Sequence, residues 1–285
     1  MADTTLVSYS CNPLAEQLGN LGINIGVGGT VLEYAPRDNV NITYNGTLGW
    51  RPVGMSETAI NFVFAAEYAN LQTGMVAKTQ DVKQTSIDLT VDVSIMAATQ
   101  EGKRMALGYA KQVVILPTTP VSTTVDGDVV LPNDNGFYEV GLTAVTGLNP
   151  GDTVGIVTGD ATYGTEEEFA DILSIDTVLK VIRLKTPIFQ LPADGAAVRK
   201  VKEIRLFVEA CSDMPDRQFR IVKYNRSNRK PVVEHAQDMV ISGFSGVTNA
   251  NDAATTYGFQ LRGKANFDIA TNTYSLSSYN ELKAA

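Results

Sequence analysis

From Ser86 to Ile95 the chain reads SIDLTVDVSI, with Ile87, Leu89, Val91, Val93 and Ile95 on one parity and Ser86, Asp88, Thr90, Asp92 and Ser94 on the other. Strand side chains point alternately to opposite faces, so this stretch predicts a long strand with one apolar face and one polar face carrying carboxylates. Near the C-terminus, YGFQLRGKANFDI keeps the same step: Tyr257, Phe259, Leu261, Gly263, Ala265, Phe267 and Ile269 alternate with Gly258, Gln260, Arg262, Lys264, Asn266 and Asp268. A strand over that whole length would exceed the five or six residues usual in globular sheets. Shorter strands are predicted at TVLEYA, NVNITY and TAINFVFAAEYA, where Ile60, Phe62, Phe64 and Ala66 share a side. Two helices are predicted. A short one has Asn12 as cap, Pro13 at its first position and Gly19 as its stop; the other runs from Thr99, a candidate N-cap, to Tyr109.

The pattern changes at Thr118. TTPVSTTVDGDVVLPNDNG is rich in Thr, Pro, Gly and Asp, and it leads into closely spaced β pieces at FYEVGL, DTVGIVTG, FADILSID, VLKVIRL and AAVRKV. Turn-punctuated short strands indicate a small antiparallel barrel or sandwich. EIRLFVEA then resumes the longer-strand style, followed by FRIVKY and DMVISGF. The chain is therefore expected to be mainly β, with residues 118–201 inserted into a discontinuous domain made of 1–117 and 202–285.

Composition narrows the functions. At 285 residues the chain can bury a sizeable core, and its formal net charge of −8 argues against a protein that grips nucleic acid through a basic surface. The start, MADTTLVSYS, lacks a basic and apolar leader, and no apolar run is long enough to span a membrane, so neither export by a signal peptide nor a membrane partner is expected. Cys11 and Cys211 have no metal-ligand spacing; a disulfide and two buried thiols both remain open.

Catalytic equipment is sparse. His235 is the single histidine, and its surroundings, VVEHAQD, read as an ordinary turn or strand end with no nucleophile advertised nearby. GINIGVGGT is neither a dinucleotide fingerprint nor a phosphate-binding loop and reads as a tightly packed connection. DGD at 126–128 and NDNG at 133–136 lack the order of a calcium loop and read as solvated turns. Glu166, Glu167 and Glu168 read as a solvated surface of the inserted segment. DRQFRIVKYNRSNRK, with Arg217, Arg220, Lys223, Arg226, Arg229 and Lys230, reads as a hairpin whose charges are solvated or meet acidic residues of a neighbouring subunit. No enzyme activity, cofactor or metal is expected.

From Leu48 to Leu107 the order of features is informative: LGWRPVGMSETAINFVFAAEYANLQTG, a linker, the alternating strand TSIDLTVDVSIM and the helix QEGKRMAL. With Gly49, Trp50, Gly54, Ser56, Glu57, Thr58, Glu67, Tyr68 and Gly74 at matching positions, the chain resembles the major tail tube proteins of long-tailed (siphovirus- or myovirus-like) bacteriophages. The insertion at 118–201 has no counterpart in the smallest members of that family, although additional outward-facing domains are common in it.

The resemblance implies a tail-tube β-sandwich or barrel with a flanking helix, joined with copies of itself into homohexameric rings that stack into a conduit for genome ejection. The chain would be made in the host bacterial cytoplasm and used in the virion tail. Partners would be itself and other tail proteins, namely the tape measure, the terminator, and the baseplate or distal tail, with DNA passing through without tight binding. Ser86, Asp88, Thr90 and Asp92 would face the lumen. Trp50, Met55 and Glu57 in a Trp50–Thr58 loop, Met75 and Val76 in a Gly74–Gln84 linker, and Arg226 and Arg229 would make ring-stacking or inter-subunit contacts. An alternative is a phage head decoration or adhesin-type β protein that binds a capsomer or a carbohydrate.

Overall fold

The computed structural model of the protein describes residues 30–37, 39, 41–42, 49–56, 60, 63–72, 79–132, 138–186, 188–208, 215–225, 230–250, 253–263, 266–268, 273–275 and 279–283. In chain order come β1 (Thr30–Pro36), β2 (Arg51–Ser56), β3 (Val63–Gln72), β4 (Thr79–Ile95), β5 (Ala97–Ala98), helix α1 (Gln100–Ala106) and β6 (Lys111–Ile115). Next are β7 (Ser122–Pro132), β8 (Tyr138–Leu142), β9 (Thr153–Thr158), β10 (Glu166–Asp176), β11 (Val181–Leu184) and β12 (Ala197–Val201). The chain returns through β13 (Glu203–Phe207), β14 (Arg217–Asn225), β15 (Lys230–Ala250) and β16 (Ala253–Gly263) and ends in β17 (Asn266–Asp268), β18 (Thr273–Ser275) and β19 (Tyr279–Lys283). The protein is mainly β, as expected. The helix expected at Asn12 and both cysteines fall outside the described residues.

The long strands form one antiparallel sheet in the order β3-β4-β16-β15-β14-β1-β2-β5, with β19 on β15. This sheet curls strongly. β5 follows β4 after a single residue yet pairs with β2 at the far end of the strand order, and Met96 N donates to the Met55 carbonyl at 2.9 Å. Register shifts at Ile241/Gly243, Phe244/Gly246 and Thr248/Ala250 mark irregularities along β15, and bulges of this kind bend and twist a long strand. The concave side holds the core, in which Leu89, Val91, Val93 and Ile95 of β4 meet Leu32, Phe219, Ile221, Met239, Phe259 and Leu261. The apolar parity of β4 is thus buried as its alternation requires.

α1 closes this core with Met105 and Ala106. Its start follows the capping rule: the Thr99 hydroxyl accepts from Gly102 N at 3.2 Å, and Glu101 sits in the first turn, where a negative charge suits the helix N-terminus. Gly102 is a poor helix former with a steric purpose. A Cβ there would stand 2.2 Å from the Val53 carbonyl oxygen, so only glycine lets the helix lie this close to β2.

Strands β7 to β12 close into a separate six-stranded barrel, β10-β11-β8-β7-β12-β9, filled by Val125, Val140, Leu142, Val154, Ile156, Ile172, Ile182, Leu184 and Val198. All of its strands lie between Ser122 and Val201, whereas the curled sheet draws on chain from both sides of that segment. The connection is a two-stranded ribbon of β6 and β13, paired from Glu203 opposite Ile115 to Phe207 opposite Lys111.

Several local expectations give way to tertiary pairing. β16 ends at Gly263, short of the thirteen-residue alternation, and Asn266–Asp268 pairs with β18 instead. The reason is occupancy: Gly263 pairs with Met239, and from Ala236 downward that edge of β15 is taken by β19. EIRLFVEA contributes five strand residues to the ribbon and none to the large sheet. In NVNITY the described positions are a turn at Asn41, whose backbone N–H donates to the Asn39 side chain, and Ile42. Trp50–Thr58 was expected as a loop, but Arg51–Ser56 is strand β2, paired with β1 and β5. Within the Gly74–Gln84 linker, Thr79 onward is already β4, paired with β3. Asp126–Asp128 runs inside β7, not in a turn, while 133–136 is outside the described residues.

Candidate functional site: the polar sheet face and the barrel junction

Over β4 and β16 the convex face of the curled sheet is polar. Asp88, Thr90 and Asp92 lie on it, opposite in parity to the buried Leu89, Val91 and Val93, and Ser86 shares their parity along the same strand. Directly paired strand residues share a face, so Val63, Ala65 and Glu67, opposite Thr90, Asp88 and Ser86, lie on the same side of β3, where exposed apolar Val63 and Ala65 interrupt the polar surface. Side-chain bonds stitch the face across strands. The Arg262 guanidinium donates to both Asp88 carboxylate oxygens at 2.8 and 2.9 Å, Gln260 Nε2 donates to Asp92 Oδ1 at 2.8 Å, and Ser242 Oγ donates to Gln260 Oε1 at 3.1 Å. The carboxylates are therefore engaged by neighbours from β16 rather than standing free. β3, ten residues long, pairs on one side only among the described residues.

A second cluster sits where the barrel meets the sheet. Arg51 projects from β2 into the barrel's rim. Its guanidinium donates to Glu168 Oε1 at 2.6 Å, to Thr158 Oγ1 at 2.9 Å and to the Thr158 carbonyl at 3.1 Å. Glu168 also accepts from Phe189 N at 2.7 Å and from Thr158 Oγ1 at 2.5 Å. Burial pushes the Glu168 carboxyl up from its ordinary value, against the opposing pull of Arg51. Tyr34 donates from its hydroxyl to Glu166 Oε2 at 2.5 Å; burial, then the Glu166 charge, raises its phenol well above the ordinary value. Arg217 stacks over Tyr34, meets Glu101 at 2.8 Å and faces Glu166 at 3.7 Å. A cavity of 470 Å³ opens among these groups. Its walls carry matched charges, with Arg104 and Arg217 both on Glu101 and Arg51 on Glu168.

Two expectations about charge are overturned here. Glu166–Glu168 is not a solvated surface: Glu166 and Glu168 meet cations of the large sheet, and Glu167 pairs with Arg199 at 2.5 Å. In the basic hairpin, Arg217 and Arg220 turn into their own chain. Arg220 is fully buried, pairs with buried Glu33 and lies 4.5 Å from the Trp50 ring. Partners more than a hundred residues apart in sequence cannot be matched by reading along it.

Trp50 and Met55 are corrected as well, since both are buried within the chain at 2% and 4% exposure and present no surface to a neighbour. Trp50 packs with Ala35, Ile42 and Tyr163, and its carbonyl accepts from Gln190 Nε2 at 2.6 Å. It ties the sheet to the barrel. The preceding Gly49 has φ +81, and a Cβ there would stand 2.7 Å from the Ile42 side chain, so glycine is needed twice over. Glu57, Met75, Val76, Arg226 and Arg229 lie outside the described residues.

His235 is neither at a turn nor at a strand end: it sits within β15, buried, with Nε2 3.0 Å from Gln218 Oε1 and the Trp50 ring edge-on at 5.6 Å. Burial, then the nearby Arg220 charge, lowers its pKa to about 4. At 6% exposure the imidazole serves as a hydrogen-bonding core residue. Among the described residues no group of three or more His, Cys, Asp or Glu is placed to hold a metal ion, and no helix is long and apolar enough to cross a membrane. Arg51, Gln190 and Tyr34 went unnoticed in the sequence; a lone Arg within an otherwise buried strand was the only signal.

No protein-family model matches the chain, and no curated protein is similar to it.

Proposed function

We propose that the chain is a structural protein that polymerises as stacked rings into a tail-tube-like conduit, with the polar face of the curled sheet towards the lumen and the barrel outward. One observation carries the reading. Long strands, among them β4 with seventeen residues and β15 with twenty-one, build a sheet whose concave side is a closed core and whose convex side carries Asp88, Thr90, Asp92, Gln260 and Arg262 on adjacent strands. A free-standing domain has little use for strands of this length, whereas a wall repeated around an axis needs them. The edge of β3 that carries no partner strand among the described residues fits the same reading, because a ten-residue strand edge of this kind invites pairing with another chain. The resemblance over Leu48–Leu107 supplies the family.

Electron microscopy of purified protein across a concentration series tests the proposal. Rings or tubes of constant bore are expected at high concentration, and a reduction of the Val63–Gln72 edge to a prolyl-interrupted one by Ala65→Pro should abolish them while leaving a folded monomer. Discrete monomers at every concentration would refute it.

A further inference from the structure

We propose that Asp88 is a masking residue: by pairing with the Arg262 guanidinium through Nη2 it offsets that charge and keeps the polar face from gripping a phosphate backbone. The inference rests on the conduit reading above and adds to it a specific device by which passing duplex is not retained. Arg262 and Asp88 are about half exposed, with side chains at 52% and 47%, so both are open to anything that moves along the face. Arg262 sits opposite Thr90 in register, which makes Asp88 its diagonal neighbour across the β4–β16 pair, within reach of a long side chain. A single guanidinium nitrogen, Nη2, donates to both carboxylate oxygens, at 2.8 and 2.9 Å.

The geometry matters because a guanidinium fork matches carboxylate and phosphate alike. A carboxylate already paired to one of its nitrogens lowers the positive charge that the guanidinium presents to an incoming phosphate. Asp92 does the corresponding thing one pair further along, holding the Gln260 amide, whose oxygen is in turn held by Ser242. In a single chain one unmasked arginine would hardly bind DNA. Repeated around a ring and along a stack, the same side chain would make many phosphate contacts, each adding to retention through counterion release. Masking is therefore a property that only an assembly requires, and the surface ion pair needs to contribute almost nothing to stability in order to supply it.

The test uses assembled wild-type protein, Asp88→Asn and the double variant Asp88→Asn/Arg262→Gln, each incubated with a short fluorescent DNA duplex and pelleted. Wild-type tubes and double-variant tubes should carry down little DNA. Asp88→Asn tubes should retain roughly tenfold more or greater at low salt, with a steep loss as salt is raised. Asp92→Asn, which frees an amide and no cation, should stay within about twofold of wild type. Asp88→Asn tubes that retain no more duplex than wild type would overturn the masking role while leaving the conduit intact, as would wild-type tubes that already hold DNA tightly. Failure of the wild-type chain to form tubes would overturn the conduit reading itself, and microscopy records that before any DNA is added.

Discussion

Acidification should weaken this fold through His235, and the size of the effect can be worked out from its setting. The imidazole is 6% exposed, between Gln218 and the Trp50 ring, and burial together with Arg220 lowers its pKa from the usual 6.5 to about 4. A histidine whose folded pKa is depressed takes up its proton more readily in the unfolded chain. Its contribution is therefore fully present above the unfolded value near 6.5 and is lost as pH falls from there through about 4. Each tenfold difference in proton affinity is worth about 1.4 kcal/mol, so the full loss is about 3 kcal/mol, of which about 2.5 kcal/mol is already gone near pH 4.5. Carboxylates titrate over part of the same range, so the comparison has to be made against a variant. His235→Gln preserves a polar partner for Gln218 and removes the titration. Urea unfolding of both proteins should be followed from about pH 7.5 to about pH 4.5. Wild type should lose about 2.5 kcal/mol more than His235→Gln over that interval. Parallel curves for the two proteins would refute the reasoning, and so would a folded-state histidine resonance that titrates near its usual value.

Val91→Asp places a carboxylate at a position with 0% exposure in the main core and should destabilise by several kcal/mol, giving insoluble or unfolded protein; a soluble, normally folded variant would mean that β4 buries its other face. Gly102→Ala should also destabilise: the gain of about 1 kcal/mol in helix propensity is smaller than the cost of pushing α1 off the Val53 carbonyl, 2.2 Å from the new Cβ, and a raised melting temperature would contradict this. Arg51→Met leaves Glu168, 14% exposed, without its cation at the junction and should cost about 3 kcal/mol, whereas the paired change Arg51→Met/Glu168→Leu should recover much of it; additive losses in that double-mutant cycle would show that the two groups are not coupled.

Local periodicity determined a good deal by itself. The unbroken alternation of Leu89, Val91, Val93 and Ile95 against Asp88, Thr90, Asp92 and Ser94 was sufficient to specify a strand and which of its faces is buried, because a period of two leaves a one-sided core no other register. Thr99 marked a helix start because its hydroxyl can answer an orphan N–H only three residues away. Turn residues at short intervals marked the barrel strands from FYEVGL to AAVRKV, among which β9 pairs with β10 and β10 with β11, each the next strand along the chain. What lay beyond the sequence depends on partners brought from far away. Nothing in EEEFADILSID or DRQFRIVKY says that Glu168 will meet Arg51 or that Glu166 will face Arg217, and charges that look solvated one segment at a time become a buried junction when barrel and sheet come together. Strand length was likewise a tertiary decision. β16 stops at Gly263 although its alternation continues, because a strand persists only while a neighbour has free N–H and C=O groups to offer, and there β19 already occupies them.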